Sequence, residues 1–280
     1  MKGRKIVVDS SASLLGDGSE QFASVPLKIL AGGVEYVDDE TLDVAAMMDA
    51  LEKEKGPSST ACPSVGDWLQ AFGDAQEVFG VAISSQMSGS YNAGKVAAEQ
   101  YGEEHTDRRA FLLDSLSAGP GVALMVEECK RLAASDRSFQ EVCRDMKAYA
   151  ARVRLVFSLE SLSNFAKNGR VPAALAKLAS FLGIRVVCRA SEQGEFQLLH
   201  KCRGERSAIQ KLLEQMDKEG FAGGRVRIHH TQNPAAAQAI RDRILADYPA
   251  CDVAIGEQRG LCSYYAERGG FLVGFEGAEK

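Results

Sequence analysis

Short β-rich runs alternate with helical patterns from one end of this chain to the other, and no other feature restricts its fold more tightly. A helix between two strands carries the chain back to the edge where the first strand began, so the pattern describes sheets with helical crossovers. The reading is α/β with largely parallel sheets. Strands are expected at Lys5–Asp9, Ser24–Ile29, Val78–Ser84, Ala110–Asp114, Leu155–Ser158, Ile184–Arg189, Phe196–Lys201, Arg225–His230, Asp252–Glu257 and Phe271–Phe275.

Several helices mark their own ends. Asp43 is placed to cap a helix running through Lys55, with Leu42 and Met47 as a hydrophobic staple and Gly56-Pro57 as the stop. Ser64 with Asp67, and Ser138 with Glu141, form capping boxes, while Asn233-Pro234 opens a helix whose Ala237, Ile240, Ile244 and Leu245 face a core. The longest loop-like stretches are 30–42, 56–64 and 258–270. A chain of 280 residues is about twice the usual allowance for one domain. Two α/β domains are expected, 1–153 and 154–280, joined near Ala151–Arg154.

Charge and composition narrow the function. A net charge of -5 supplies no basic field for a phosphate backbone, so nucleic acid is not an expected partner. The opening MKGRKIVVDSSAS has an apolar run only from Ile6 to Val8, far short of a signal peptide's, and no stretch approaches the ~18 residues that would cross a membrane. A cytoplasmic protein without membrane insertion is expected. Seven cysteines form an odd set with no Cys-x-x-Cys pair, which reads as free thiols rather than disulfides or zinc ligands. The four histidines, His105, His200, His229 and His230, have no metal-ligand spacing, and no metal or cofactor is expected.

The most informative segment is Val81–Asn92 (VAISSQMSGSYN), in which an apolar strand runs into hydroxyl residues and then a helix. Unpaired backbone N–H groups, the positive end of a helix and several hydroxyls then meet at one point, which suits an anion; a plain helix cap by Ser85 or Ser88 is the alternative. Asp9-Ser10-Ser11 follows the first strand, and Ser58–Ser64 (SSTACPS) forms a third hydroxyl cluster. Clusters beyond the carboxyl ends of neighbouring strands can converge on one ligand, although each taken singly also suits turn chemistry. Gly-x-Gly-x-x-Gly, Walker and Gly-x-Ser-x-Gly motifs are absent. Arg170 and Arg203 carry forks suited to phosphate or carboxylate, and equally suited to solvated surface positions.

Taken in order, these segments resemble the DegV family of bacterial fatty-acid-binding proteins. The matching stretches are VVDSSAS, VPLKI at Val25–Ile29, STACPS, ISSQMSGSYN, LLDSLSAGPG at Leu112–Gly121, SLESLSNFAKNGRV at Ser158–Val171 and KCRGERSAIQKL at Lys201–Leu212. The resemblance implies a two-domain fold with one long-chain fatty acid in a tunnel at the domain interface. It also implies a carrier role: the protein presents its acid to a separate fatty acid kinase subunit and carries no catalytic residue itself. Thr60, Ser84, Ser85, Ser88 and Gly89 match the family's carboxylate-binding positions, with Ser85 and Thr60 foremost. Arg170 and Arg203 match arginines that serve phosphate transfer or kinase docking.

One departure stands out. Where many members carry a histidine in a His-x-Gly-Pro-Gly stretch, this chain reads GLCSYYAERGG from Gly260, so Ser263, Tyr264 or Tyr265 is the expected substitute, with Ser10 and His230 as further candidate contacts. Chain-length selectivity is expected from Phe165, Leu175, Leu178, Phe181 and Leu182, which serve equally well as ordinary core. The competing reading is an acyl-transfer or hydrolytic enzyme with Ser85 as nucleophile and His230 as base.

Overall fold

A computed structural model describes residues 3–16, 18–54, 56–179 and 183–278, leaving aside the side chains of 178 and 179. The chain opens with β1 (Arg4–Asp9), whose Ile6, Val7 and Val8 are all buried, followed by a single 3₁₀ turn (Ser10–Ala12) and β2 (Phe22–Val25). The strand expected at Ser24–Ile29 is split. Pro26 has no N–H to give a ladder, and after it β3 (Lys28–Ala31) turns into a different sheet.

The stretch read as loop from 30 to 42 holds β4 (Val34–Val37), and that from 56 to 64 holds β5 (Ser58–Ala61); β4-β3-β5 is a small antiparallel sheet. Gly32 and Gly33 make the β3–β4 turn with φ of 58° and 78°, the paired left-handed geometry of a two-residue hairpin. Between β4 and β5, α1 (Val44–Lys53) is capped by Asp43 through Ala46 N–H, with Leu42 packed beside Met47; Lys55 lies outside the described residues.

Next come α2 (Val65–Phe72), β6 (Glu77–Ala82), α3 (Ser90–Glu104), β7 (Arg109–Asp114), α4 (Pro120–Ala133) and α5 (Phe139–Ala150). Both expected capping boxes are present, Ser64 with Asp67 and Ser138 with Glu141. Strand order β2-β1-β6-β7 is wholly parallel, with Ile6 level with Phe22 on one side and Phe79 on the other. Connections leave β1 and β6 toward opposite sides, so the crevice between their carboxyl ends is the sheet's switch point.

The chain changes sheets at Ala151–Val153. It continues through β8 (Val153–Leu159), α6 (Ser163–Lys167), α7 (Ala173–Ala179), β9 (Ile184–Ala190), β10 (Phe196–Arg203), α8 (Glu205–Lys218), β11 (Arg225–His230), α9 (Pro234–Asp247), β12 (Asp252–Glu257), α10 (Gly260–Ala266) and β13 (Phe271–Glu276). Their sheet, ordered β10-β9-β8-β13-β11-β12, is antiparallel except where β11 meets β12. Parallel pairing with helical crossovers thus belongs to the first sheet and that one edge. In the second sheet the last strand, β13, inserts between β8 and β11, a position no local signal announces. Helix α4 is buried along most of its length because the first sheet packs on one side of it and β8, β11 and β13 on the other. Helix α10, within the stretch read as loop from 258 to 270, crosses back to pack on α1, β3 and the 3₁₀ turn.

A candidate lipid-binding site between the two sheets

An apolar pocket lies where these parts meet. Leu155, Phe157 and Leu159 line it from alternate positions of β8, Leu272 from β13 and Phe165 from α6. From the other side come Leu27, Ile83, Met87 and Ala118 in loops, and Leu261, Cys262 and Ala266 on α10. Of the residues expected to set chain length, Phe165 lines the pocket and Leu175 packs against the surrounding core. Phe181, Leu182 and the side chain of Leu178 lie outside the described residues. The Leu155, Phe157 and Leu159 face went unread, although its period of two was visible in RLVFSLE.

The polar groups at the rim are Thr60, Ser88, Tyr265 and Arg170. Thr60 Oγ1 and the Tyr265 hydroxyl are 2.9 Å apart and hydrogen-bonded. Burial raises the Tyr265 pKa, which the Thr60 bond partly offsets, so the phenol keeps its proton. Ser88 Oγ accepts from Ser90 N–H at 3.2 Å, which leaves its own hydrogen to donate. The exposed Arg170 donates through Nε to Met87 O at 3.0 Å and spans the rim. Beyond it an outer cleft lined by Ser85, Gly89, Asn92 and Phe196 shares Met87, Ser88 and Arg170 with the pocket.

A second layer fixes this rim. Asn168 accepts from Thr60 N–H at 3.1 Å and donates to the Tyr264 hydroxyl at 2.8 Å, which also meets Ser58 Oγ at 2.7 Å. Tyr264 is 1% exposed and is therefore a support under the site. Ser58 belonged to the hydroxyl cluster Ser58–Ser64, but neither it nor Asn168 was marked in the sequence as a support for the rim.

The remaining candidates lie elsewhere. Ser84 is fully buried and donates to Gly194 O at 2.7 Å, tying the β6 turn to the β9–β10 hairpin. Ser85 is half-buried in the outer cleft with its N–H on Asp114 at 3.1 Å, and Gly89 lies in the same cleft as the N-cap of α3. Ser10 Oγ accepts from Leu27 N–H at 3.1 Å, and Ser263 Oγ donates to Gln258 O at 3.0 Å; neither lines the pocket. Arg203 is exposed at the end of β10 and lines neither the pocket nor the outer cleft. His230 is buried where β11 ends, on the side of the sheet covered by α8 and α9, and accepts from Asn233 N–H at 3.3 Å. Burial lowers its pKa. The fold does not bring it to Ser85.

An α/β framework with an apolar pocket between its sheets and a hydroxyl rim defines a class suited to amphiphilic anions. The family described as "Uncharacterised protein, DegV family" matches residues 4–276. A DegV domain-containing protein of Streptococcus pyogenes serotype M1 is 38% identical over 97% of this chain and 99% of its own length. Among solved structures, a DegV family protein from Eubacterium eligens loaded with heptadecanoic acid has 40% identity and a TM-score of 0.94, covering 98% of this chain and 100% of its own. The Streptococcus pneumoniae Fatty Acid Kinase (Fak) B3 protein loaded with linoleic acid has 37% identity and the same TM-score, 0.94, covering 97% and 98%. The chain belongs to the DegV family. No helix among the described residues is long and apolar enough to cross a membrane.

Proposed function

We propose that this chain binds one long-chain fatty acid, acyl chain in the apolar pocket and carboxylate at Thr60, Ser88 and Tyr265, and passes it to a separate kinase subunit without transforming it. The observation that carries the reading is the pocket's asymmetry: aliphatic and aromatic walls end at a rim of three hydroxyls and an arginine. Each methylene removed from water contributes about 0.8 kcal/mol, so enclosure of part of a long chain is enough for tight binding. An ionised carboxylate buried without partners costs several kcal/mol, which the hydroxyl rim offsets. Thr60 can donate to the Tyr265 oxygen, leaving the more acidic phenolic hydrogen for the carboxylate.

Two relatives with nearly the same backbone carry heptadecanoic and linoleic acid, which supports the ligand class, and the kinase name of the second supports the partner. Arg170 at the rim and the exposed Arg203 suit a partner's acidic surface or a transferred phosphoryl group. A serine-dependent reaction would need a base near Ser85, and among the described residues no histidine lines the pocket. The test is native mass spectrometry of protein purified without added lipid. A stoichiometric adduct that leaves on denaturation as a free fatty acid is expected; a chain that stays empty after incubation with mixed fatty acids removes the assignment.

A further inference from the structure

We infer that Asp38 positions Tyr265: by capping α10 from the loop after β4, its buried carboxylate sets where the Tyr265 hydroxyl meets Thr60, and so how well the rim separates an ionised carboxylate from a neutral head group. This rests on the fatty-acid reading above.

Asp38 is 1% exposed. One carboxylate oxygen accepts from Gly260 N–H at 2.8 Å and the other from Leu261 N–H at 2.9 Å, the first two donors of α10. Its own N–H bonds Leu27 O at 2.9 Å, and its carboxylate also meets the Ser10 hydroxyl and the Arg259 guanidinium, the latter at 4.0 Å. Four residues of the helix so anchored, Leu261, Cys262, Tyr265 and Ala266, line the pocket. The approach is close enough to specify glycine: a Cβ at Gly260 would lie 2.8 Å from Asp38 Oδ1 and 2.6 Å from Leu42 Cδ2. At its other end the helix is fixed by Asn164 Nδ2, which donates to Tyr264 O at 2.8 Å. Arg259 N–H on Ser13 Oγ at 3.1 Å, Cys262 Sγ on Ser11 O at 3.2 Å and the Tyr264 hydroxyl on Asn168 and Ser58 add further ties. But Asp38 alone takes both of the first two N–H groups of this seven-residue helix, so its loss frees the first turn to shift. The Tyr265 hydroxyl sits one residue before its last position.

The experiment measures dissociation constants of heptadecanoic acid and its methyl ester for wild type, Asp38→Asn, Tyr265→Phe and the double variant. Asparagine keeps the shape but turns one acceptor into a donor facing an N–H. Each single substitution is expected to lower the acid-over-ester preference about tenfold, the loss of one charge-assisted hydrogen bond, and the double variant to lose no more than either single. Gly260→Ala, which displaces the helix while keeping the carboxylate, should reproduce Asp38→Asn. A wild-type preference in Asp38→Asn, or multiplicative losses in the double variant, overturns the inference. A readout independent of ligand is the ¹³Cζ signal of Tyr265 in tyrosine-labelled protein, assigned by its loss in Tyr265→Phe. It should move in Asp38→Asn, and an unmoved signal also overturns the inference. A wild type that binds neither compound defeats the fatty-acid reading, while the tyrosine signal still judges the role of Asp38.

Discussion

Two serine-rich turns follow neighbouring strands of the first sheet, and they do opposite things. After β1, every hydroxyl near Asp9 is committed inward: Ser11 Oγ and Ser90 Oγ donate to its carboxylate, the Ile83 and Ser11 N–H groups complete its shell, and Ser10 serves Leu27. After β6, Ser88 keeps its hydrogen at the rim beside the Thr60 and Tyr265 pair. Both turns are equally rich in hydroxyls. What distinguishes scaffold from binding surface is where each hydrogen is already spent, a property of the folded chain.

The largest effect expected from breaking this contrast is at Asp9. Asp9→Ala strips two N–H groups and two hydroxyls of their acceptor in a site that is 0% exposed, and should cost about 4 kcal/mol of stability in urea unfolding. Its acid-over-ester preference, measured on the protein that remains folded, should match wild type. A lost preference with stability intact would place Asp9 at the rim and erase the distinction.

Acid should separate the committed interior from the open rim next. His229 is buried, and its pKa is lowered by that burial first, then by His230 and Arg227, to about 4. Below its unfolded value of 6.5 the unfolded chain takes up a proton that the fold refuses, so this stability is complete above that pH and drains as pH falls toward 4, about 3 kcal/mol in all. Burial raises the pKa values of Asp9, Asp38 and Glu267, which therefore favour the fold as pH falls. Comparing the pH dependence of unfolding in His229→Gln with wild type isolates the histidine. Ligand affinity, resting on hydroxyls and an arginine, should change little from pH 7 to 5.5 if the rim is as read.

How much of this was legible follows the same division. Strands β1 and β6 to β13 and the caps at Asp43, Ser64, Ser138 and Asn233 were readable because propensity and spacing are local, and the clusters that hold Thr60 and Ser88 were visible as hydroxyl clusters. Lost were features set by distant partners: β13 inserted beside β8, α10 held by Asp38, and the inward turn of Ser84. Two misses had a local signal. Gly32-Gly33 between short apolar runs marks a hairpin, and Pro26 marks the break that splits β2 from β3. Tyr265 was one of three hydroxyls offered as the substitute donor, and only the fold separates it from Tyr264, one residue away but turned beneath the rim.

A sharper version of the comparison is Thr60→Val. It keeps the shape and removes one hydroxyl from the open pair, so fatty-acid affinity should fall about tenfold with less than about 1 kcal/mol of stability lost. The reverse pattern would make Thr60 a scaffold residue like Ser10.

The finest contrast uses two serines of one turn. Ser84→Ala removes the bond to Gly194 O, a link between the two halves of the chain, and should cost about 1 kcal/mol in unfolding while leaving affinity near wild type. Ser88→Ala removes a rim donor and should weaken fatty-acid binding by a few-fold; it also leaves the Ser90 N–H, in a residue 0% exposed, without that acceptor, at a stability cost of about 1 kcal/mol, so affinity is the readout that separates the two variants. Each variant lacks one oxygen, at positions four apart, and Ser88 N–H bonds Ser84 O at 3.1 Å, so any general loosening of the turn would register in both. A loss of affinity in Ser88→Ala alone is what a turn that is scaffold at one end and binding surface at the other must give. Equal losses of affinity in both would mean that the turn acts as a single unit.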